Sequence, residues 1–252
     1  MEEHELGLTA LFNEYLAGLA NAILNLFGQT AHDPAHPWEN WIVMELLVVV
    51  LLVIAVGLVR SQLSADKPGK LQHLFELIYN FIHDTVEQVG IHHGRQYAPY
   101  IGTVFIFILS MNLIGIIPGL ESPTMAAYVP AGMALSTFAY FNVMGFRANG
   151  IGYLAQFAGP VRFANPIATI AICLFMLPIE TVSIFIRPLS LTVRLYGNMF
   201  AGEQVTLVFL NLTKLVIPVI FMGLHVFVSF VQAYVFTLLT TIYVNLATSH
   251  EH

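Results

Sequence analysis

The sequence predicts an all-α integral membrane protein of about five membrane-embedded helices plus an amphipathic surface helix, with the last two helices forming a long, strongly tilted hairpin. Hydrophobic residues make up 57% of the 252 residues and charged residues only 10%, whereas an average soluble domain has about 25% charged residues. Several apolar stretches reach the ~20 residues that a helix needs to cross the hydrocarbon core. A lipid bilayer is therefore the expected surroundings of most of the chain.

The first elements are an extramembrane N-terminal segment, a span and a surface helix. Residues 1–40 are predicted as extramembrane or interfacial, and their apolar stretch 16–27 has no basic region before it, which favours an interfacial helix over a secretory signal. The membrane domain is predicted for 41–252. Its first span, about 41–60, begins beside Trp41 and ends at Arg60, as expected at two membrane interfaces. Apolar residues at helical spacing among charged ones predict the surface helix, about 70–93.

Two spans of ordinary length follow, about 97–117 and 125–146, and a Gly- and Pro-rich segment at 147–165 predicts a loop. The final hairpin is predicted at 165–210 and 214–247. At 1.5 Å per residue, a helix of ~45 residues is about 65 Å long, roughly twice the hydrocarbon core. Strong tilt is therefore needed, and we expect Pro178, Pro188 and Pro218 to bend these helices because proline removes a backbone donor.

Charge orients the chain and excludes some partners. The net charge of −6 comes largely from acidic residues that precede the first basic residue, Arg60, so nucleic acid is not an expected partner. Cytoplasmic loops of membrane proteins are enriched in Lys and Arg. With five crossings, the N-terminus then lies outside and the C-terminus lies in the cytoplasm. The basic residues that set this orientation are Arg60, Lys67, Lys70, Arg95, Arg147 and Arg162.

Ionisable residues inside the predicted spans concentrate in the last hairpin. A charge at the bilayer centre costs at least ~2.5–3.5 kcal/mol, so such residues are usually retained for function. At ~100° per residue, one helical stripe carries Glu180, Arg187, Arg194 and Asn198, while Glu203 lies about half a turn away. Residues equally far from a turn near 211–213 should be level across the hairpin. The expected levels are Gln232 with Arg194, His225 near Glu203, and Tyr243 and Asn245 near Glu180.

This layout, with two carboxylate levels separated by a permanent cation, is typical of a proton path that is interrupted in the middle. Each of these residues also has a purely structural interpretation. For Arg194, that interpretation is disfavoured by its depth near the middle of the membrane. Glu45 and Glu121 lie near predicted outer interfaces, where solvated roles are expected. No histidine pair has metal-ligand spacing on a membrane helix, and neither a metal nor a cofactor is predicted. The structural interpretations are an ion pair for Arg194, a polar-core pair for Glu203 and His225, snorkelling for Glu180 and Arg187, and interhelical hydrogen bonds for Gln232 and Asn198.

A resemblance to a known family becomes specific after about Pro178. It is carried by Pro188-Leu189-Ser190-Leu191 and by the run Arg194-Leu195-Tyr196-Gly197-Asn198-Met199-Phe200-Ala201-Gly202-Glu203, which resemble the signature of ATP synthase subunit a. The likeness continues through His225, Gln232 and Thr241-Ile242-Tyr243, and more loosely to Met111-Asn112-Leu113 followed by Pro118. It covers most of the chain from the first span onward.

The resemblance implies a proton-translocating stator subunit of a rotary F-type ATP synthase, in which an essential arginine separates two offset half-channels leading to a rotor-ring carboxylate. Arg194 takes the place of that arginine. The outer half-channel positions are Glu203, His225, Gln232, Asn198 and Asn112, and the inner ones are Glu180 and, by level, Tyr243. Some bacterial relatives carry an acidic residue shortly after the matching asparagine, where this chain has Gly115.

The same resemblance implies a ring of rotor subunits c, a peripheral-stalk subunit b and the rest of the complex as partners, in a bacterial inner membrane. The chemistry of ATP would belong to other subunits, and the proton is the default ion. A proton-coupled secondary transporter is the alternative, although such proteins usually carry an internal repeat and none is evident. A haem- or quinone-binding subunit is the third class, and His225 alone lies well within a span, which disfavours a bis-histidine site.

Overall fold

The described part of the chain is mostly helical. The computed structural model describes residues 5–26, 28, 33–61, 63–64, 69–91, 94–117, 119–153, 166–212 and 216–249. Within these ranges the chain forms α-helices and short 3₁₀ turns without a strand, which confirms the predicted all-α class. The helices are α1 (Gly7–Leu26), α2 (Asn40–Ser61), α3 (Lys70–Gln88), α4 (Ala98–Ile114), α5 (Tyr128–Asn149), α6 (Pro166–Leu212) and α7 (Val216–Thr248).

The exposed surfaces of several helices are apolar, as expected for helices that contact lipid. In the described part, three segments are long and apolar enough to cross a membrane, namely Asn40–Ser61, Leu174–Leu210 and Val219–Thr248, and Ala98–Ile114 is a shorter apolar helix. On α2, Val53 is 65% exposed and its neighbours Val50 and Ile54 also face outwards. A continuous apolar surface of this kind is stable against hydrocarbon rather than water. The chain is therefore an integral, multi-pass membrane protein.

Several helix ends differ from the predicted ones for local reasons. The surface helix α3 ends at Gln88 rather than near 93, because Gly90 adopts a left-handed φ of 78° that favours glycine and ends helices. Helix α4 ends at Ile114 because the chain turns at Gly115. Helix α1 is longer than the expected interfacial segment and begins at Gly7.

Helices α6 and α7 are antiparallel neighbours next to their connection. The rings of Phe209 and Phe221 stack with centroids 4.4 Å apart. Further from the turn, a Cβ atom added to Gly202 would lie 3.3 Å from Nδ1 of His225. Helix α6 has 47 residues, which at 1.5 Å per residue is about 70 Å and therefore more than a perpendicular crossing can hold.

Two of the three hairpin prolines lie inside a helix as expected, and the third does not. Pro178 and Pro188 lie inside α6, where each removes one helical hydrogen bond. Pro218 instead lies in the first turn of α7, where a backbone N–H would have no helical partner in any case. The expectation that Pro218 bends α7 is therefore wrong.

The residues form two compact units, and the candidate residues divide between them. The first unit combines Met1–Gln72, Phe107–Val129 and Asn198–Phe230, and the second combines His73–Ile106, Pro130–Gly197 and Val231–His252. Asn112, Asn198, Glu203 and His225 belong to the first unit, and Glu180, Arg194, Gln232 and Tyr243 to the second. Of the sequence predictions, the loop beyond 153, the turn residue Thr213, the basic residues Lys67 and Arg162, and the C-terminal 250–252 lie outside the described residues.

Candidate functional site

Arg194 lies on α6 beside the packed face of that helix. Leu191 and Leu195, on either side of it, are 2% and 0% exposed, whereas Val193 is 60% exposed. Arg194 itself is half-buried between these two faces. Among the residues that the structure describes, no carboxylate lies within 4.0 Å of its guanidinium. The charge of Arg194 is therefore not neutralised by an ion pair inside the described chain.

A second arginine on α6 organises the polar residues of the second unit. A guanidinium nitrogen of Arg187 lies 3.7 Å from a carboxylate oxygen of Glu180, and the guanidinium carbon lies 5.2 Å from the ring centroid of Tyr243. Sequence arithmetic placed Tyr243 level with Glu180, and in the structure Arg187 contacts both. Since an arginine over an aromatic face contributes ~0.5–2 kcal/mol, Tyr243 holds Arg187 in place. The Glu180 carboxylate is therefore paired with Arg187 but remains accessible, because its side chain is 42% exposed.

Tyr153 joins this cluster and was not singled out from the sequence. It lies beyond the end of α5, is 3% exposed, and its hydroxyl donates to Oδ1 of Asn142 at 3.0 Å. Burial raises the pKa of the Tyr153 phenol, and the charges of Arg187 and Glu180 act on it in opposite directions. The helix makes room for the ring at Gly145, where an added Cβ would lie 2.6 Å from Tyr153 Cε2. The sequence did not point to Tyr153, because its hydroxyl is the only polar side-chain atom of a tyrosine that lies in a Gly-rich segment.

Three of the four outer candidates in the first unit, Glu203, His225 and Asn112, lie on α6, α7 and α4, respectively. Gly202 lets the His225 ring lie directly against α6, and Glu203 is the next residue on that helix. The His225 ring also lies within hydrogen-bonding reach of the Asn112 backbone. The structure therefore places His225 against α6 one residue before Glu203, and near the backbone of Asn112.

Several polar atoms in this neighbourhood are buried without a hydrogen-bond partner among the described residues. They are Nδ2 of Asn112, Oε2 of Glu203, Nε2 of His225 and Oγ of Ser229. Leaving a buried polar group unsatisfied costs about 1–3 kcal/mol, so a cluster of such groups is typical of a site that receives water or a transferred proton. Ser229, one helical turn from His225, was missed from the sequence, although its spacing of four residues places it on the same face.

Two further predicted residues occupy different surroundings. Gln232 is 3% exposed on α7 and lies in the same unit as Arg194. Asn198 belongs to the other unit, and its side chain is exposed on α6. The structure thus places Gln232 in a packed interior and Asn198 on an outward-facing surface.

A helical membrane protein with an un-neutralised arginine and separate polar clusters on one long hairpin belongs to the class of ion-translocating membrane proteins. The family model described as "ATP synthase A chain" matches residues 42–245. The chain therefore belongs to the ATP synthase subunit a family. Membership makes it the proton-translocating stator subunit of an F-type ATP synthase, and the secondary-transporter hypothesis is not favoured.

Curated relatives agree over nearly the full length. The chain is 53% identical to ATP synthase subunit a of Solibacter usitatus (strain Ellin6076), a match that covers 96% of this chain and 100% of the relative. It is 47% identical to ATP synthase subunit a of Koribacter versatilis (strain Ellin345), over 99% of both chains. It is 36% identical to "ATP synthase subunit a 3" of Pelobacter propionicus, over 96% of this chain and 98% of the relative.

Proposed function

We propose that this chain gives protons access to a carboxylate on a ring of rotor subunits c through two half-channels, with Arg194 as the barrier between them. The observation that carries the proposal is the half-buried guanidinium of Arg194, which no described carboxylate within 4.0 Å neutralises. Such a cation in a membrane segment is costly. A negative group on a partner is the expected source of compensation.

The proposed outer half-channel uses Glu203, His225, Asn112, Gln232 and Asn198, and the proposed inner one uses Glu180 and Tyr243. The first three outer residues meet in one unit and contribute buried polar atoms without described partners. The inner pair meets through Arg187 in the other unit. Both clusters supply groups that can hold water or a proton, which supports separate access routes.

Electrostatics explains how Arg194 would act. A unit charge about 4 Å from the rotor carboxylate contributes ~4 kcal/mol to its ionised form at an effective dielectric of ~20. The rotor carboxyl is neutral while it moves through lipid and releases its proton when it reaches Arg194. Arginine stays protonated at all relevant pH values, so Arg194 cannot pass the proton on and direct leakage is suppressed. Each proton that crosses ~100 mV supplies about 2.3 kcal/mol to rotation.

We further propose the topology and the other partners. Five crossings place the N-terminus outside and the C-terminus in the cytoplasm of a bacterial cell whose inner membrane holds the complex. The basic ends of α2 and α5, Arg60 and Arg147, support this orientation through the positive-inside rule. A peripheral-stalk subunit b would hold the chain still against the rotor.

The test replaces Arg194 in the assembled complex. In Arg194→Ala, ATP-driven proton pumping by inverted membrane vesicles should be abolished and passive proton leakage should rise, because the barrier charge is gone. Arg194→Lys should also be impaired, since an ammonium lacks the guanidinium fork and can lose its proton when buried. Arg60→Ala, at an exposed arginine on the end of α2, is the matched control and should pump normally. Parental pumping in Arg194→Ala would contradict the proposal.

A further inference from the structure

The turn between α4 and α5 folds back onto the last turn of α4. The hydroxyl of Ser122 donates to the Met111 carbonyl at 2.9 Å, and the hydroxyl of Thr124 donates to Oδ1 of Asn112 at 2.8 Å. Ser122 and Thr124 are almost fully buried. These two hydrogen bonds fix the position of Glu121, which directly precedes Ser122.

Glycine at position 115 is what allows this approach. A Cβ atom added to Gly115 would lie 2.9 Å from the backbone nitrogen of Ser122, which is closer than real Cβ contacts allow. Gly119, with φ at 90°, reverses the chain in the left-handed region. Position 115 thus has no room for a side chain, and the turn that carries Glu121 packs against this end of α4.

Glu121 belongs to the same compact unit as Glu203 and His225 of the proposed outer site. Its side chain is half-buried, its Oε2 accepts a long hydrogen bond from Nδ2 of Asn40 at 3.4 Å, and its charge interacts with that of Glu203. Two ionised carboxylates close together repel each other. A proton shared between them removes that repulsion, so the pair is suited to holding and passing one proton.

An independent observation points to water in the unit that holds the two carboxylates. The same unit buries Nδ2 of Asn112, Nε2 of His225, Oγ of Ser229 and Oε2 of Glu203 without partners among the described residues. Asn112 and Ser229 are both 0% exposed. Buried water typically bridges two to four polar groups of this kind, and a bridged pair of carboxylates can exchange a proton along the water.

We infer that Glu121 is a proton-relay carboxylate between outer solvent and Glu203, an inference that rests on the proposed function. A hydronium ion protonates the Glu121 carboxylate and leaves as water. The O–H bond at Glu121 then breaks as a bridging water accepts the proton, and that water gives a proton to the Glu203 carboxylate. The same steps run backwards during pumping. No electron is transferred, and the number of protons is the same before and after each step.

The test measures proton conduction through the complex in inverted vesicles stripped of the soluble head, with a potential that drives protons out of the lumen. Glu121→Gln keeps the size of the side chain but cannot carry a proton. Conduction should fall about tenfold, less than the ~10²–10⁴ typical of a positioned acid–base group because water can bypass the carboxylate. The loss should grow as luminal pH rises, since Glu203 must then collect scarce protons directly. Glu121→Asp should restore most of the rate and the parental pH profile.

The control is Glu39→Gln, which removes the same charge from an exposed carboxylate of the same unit and should conduct like the parent. Parental conduction by Glu121→Gln at every pH overturns the inference. A loss that pH does not change and Glu121→Asp does not restore overturns it as well, because it indicates a purely structural role. ATP-driven pumping by Glu203→Gln and Arg194→Ala is measured in parallel in unstripped inverted vesicles, and pumping at the parental rate in those variants would show that the proposed function has failed instead.

Discussion

Close approaches at single glycines decide the shape of the polar clusters. Gly202 brings His225 against α6, Gly145 accepts the ring of Tyr153, and Gly115 accepts the backbone of Ser122. A neighbouring side chain can shift by rotation, but a backbone atom that meets an added Cβ at 2.9 Å can move only if its whole turn moves. Gly115 is therefore the least replaceable of these positions.

We accordingly expect Gly115→Ala to destabilise the first unit by about 1–3 kcal/mol, the usual effect of overpacking. The temperature at which the purified complex loses ATP-driven pumping should fall. Gly132→Ala, in α5, adds the same methyl group where nothing lies within 4 Å and should leave that temperature unchanged. Equal inactivation temperatures for the two variants would show that the turn is looser than the structure implies.

The residue scale also shows where sequence reasoning succeeds and where it stops. Arg194, Glu203 and His225 were predicted because a charged or titratable group inside an apolar run is conspicuous. Glu121 was expected to be solvated, since nothing local in the sequence shows that the turn folds back onto α4. Tyr153 was missed for the same reason, because its contacts with Asn142 and Gly145 depend on how the chain leaves α5.

At the scale of elements, α1 is attached to the rest of its unit by polar contacts around Asn13. Asn13 Oδ1 accepts a hydrogen bond from the Trp38 backbone at 2.9 Å, and its Nδ2 donates to the Trp38 carbonyl at 3.1 Å. The same Nδ2 donates to Glu5 at 2.6 Å, and Nδ1 of His36 lies 3.2 Å from that carboxylate. The hydrogen bonds from Asn13 and His36 lower the pKa of Glu5 below its ordinary value of 4.5.

Because the pKa of Glu5 is lowered, the attachment of α1 to its unit should weaken in acid. A carboxylate with a lowered pKa in the folded state contributes stability above its ordinary value, and this contribution is lost as pH falls through the lowered pKa. The protection of the α1 amides against hydrogen exchange, corrected for the intrinsic pH dependence of exchange, should therefore be high at neutral pH and should fall below about pH 4.5. Asn13→Ala should show fast exchange already at neutral pH, whereas Asn21→Ala, which loses one exposed hydrogen bond to Pro34, should change little. Fast exchange of α1 in the parent at neutral pH would contradict this attachment.

The helices themselves were largely predictable, but their ends were not. Apolar length predicted α2 and the long helices of the hairpin, because a membrane segment must satisfy its backbone internally and therefore stays helical. The end of α3 depends on the left-handed conformation of Gly90, which spacing alone does not reveal. The N-terminal start of α1 includes polar residues such as Asn13, whose partners lie well away from it in sequence.

At the scale of the whole molecule, the proposed function requires two access routes that are kept apart. Glu203 and His225 belong to one compact unit, and Glu180 and Tyr243 belong to the other. Level matching assigned the same two pairs to opposite sides of the membrane, and the basic helix ends at Arg60 and Arg147 support the direction. In the proposed function, a proton that enters through one pair leaves through the other only by way of the rotor.

The last prediction concerns sidedness and uses thiol labelling in a Cys173→Ser background, which removes the single cysteine of the chain. Cysteines at positions 203 and 225 should react with a membrane-impermeant thiol reagent only from the outer side, in right-side-out vesicles. Cysteines at positions 180 and 243 should react only from the cytoplasmic side, in inverted vesicles. Val53→Cys, on an exposed apolar face of α2, is the lipid-facing control and should stay unreactive from both sides. Labelling of all four site positions from one side would indicate a continuous pore, and a continuous pore would let protons bypass Arg194 and leave rotation without a driving force.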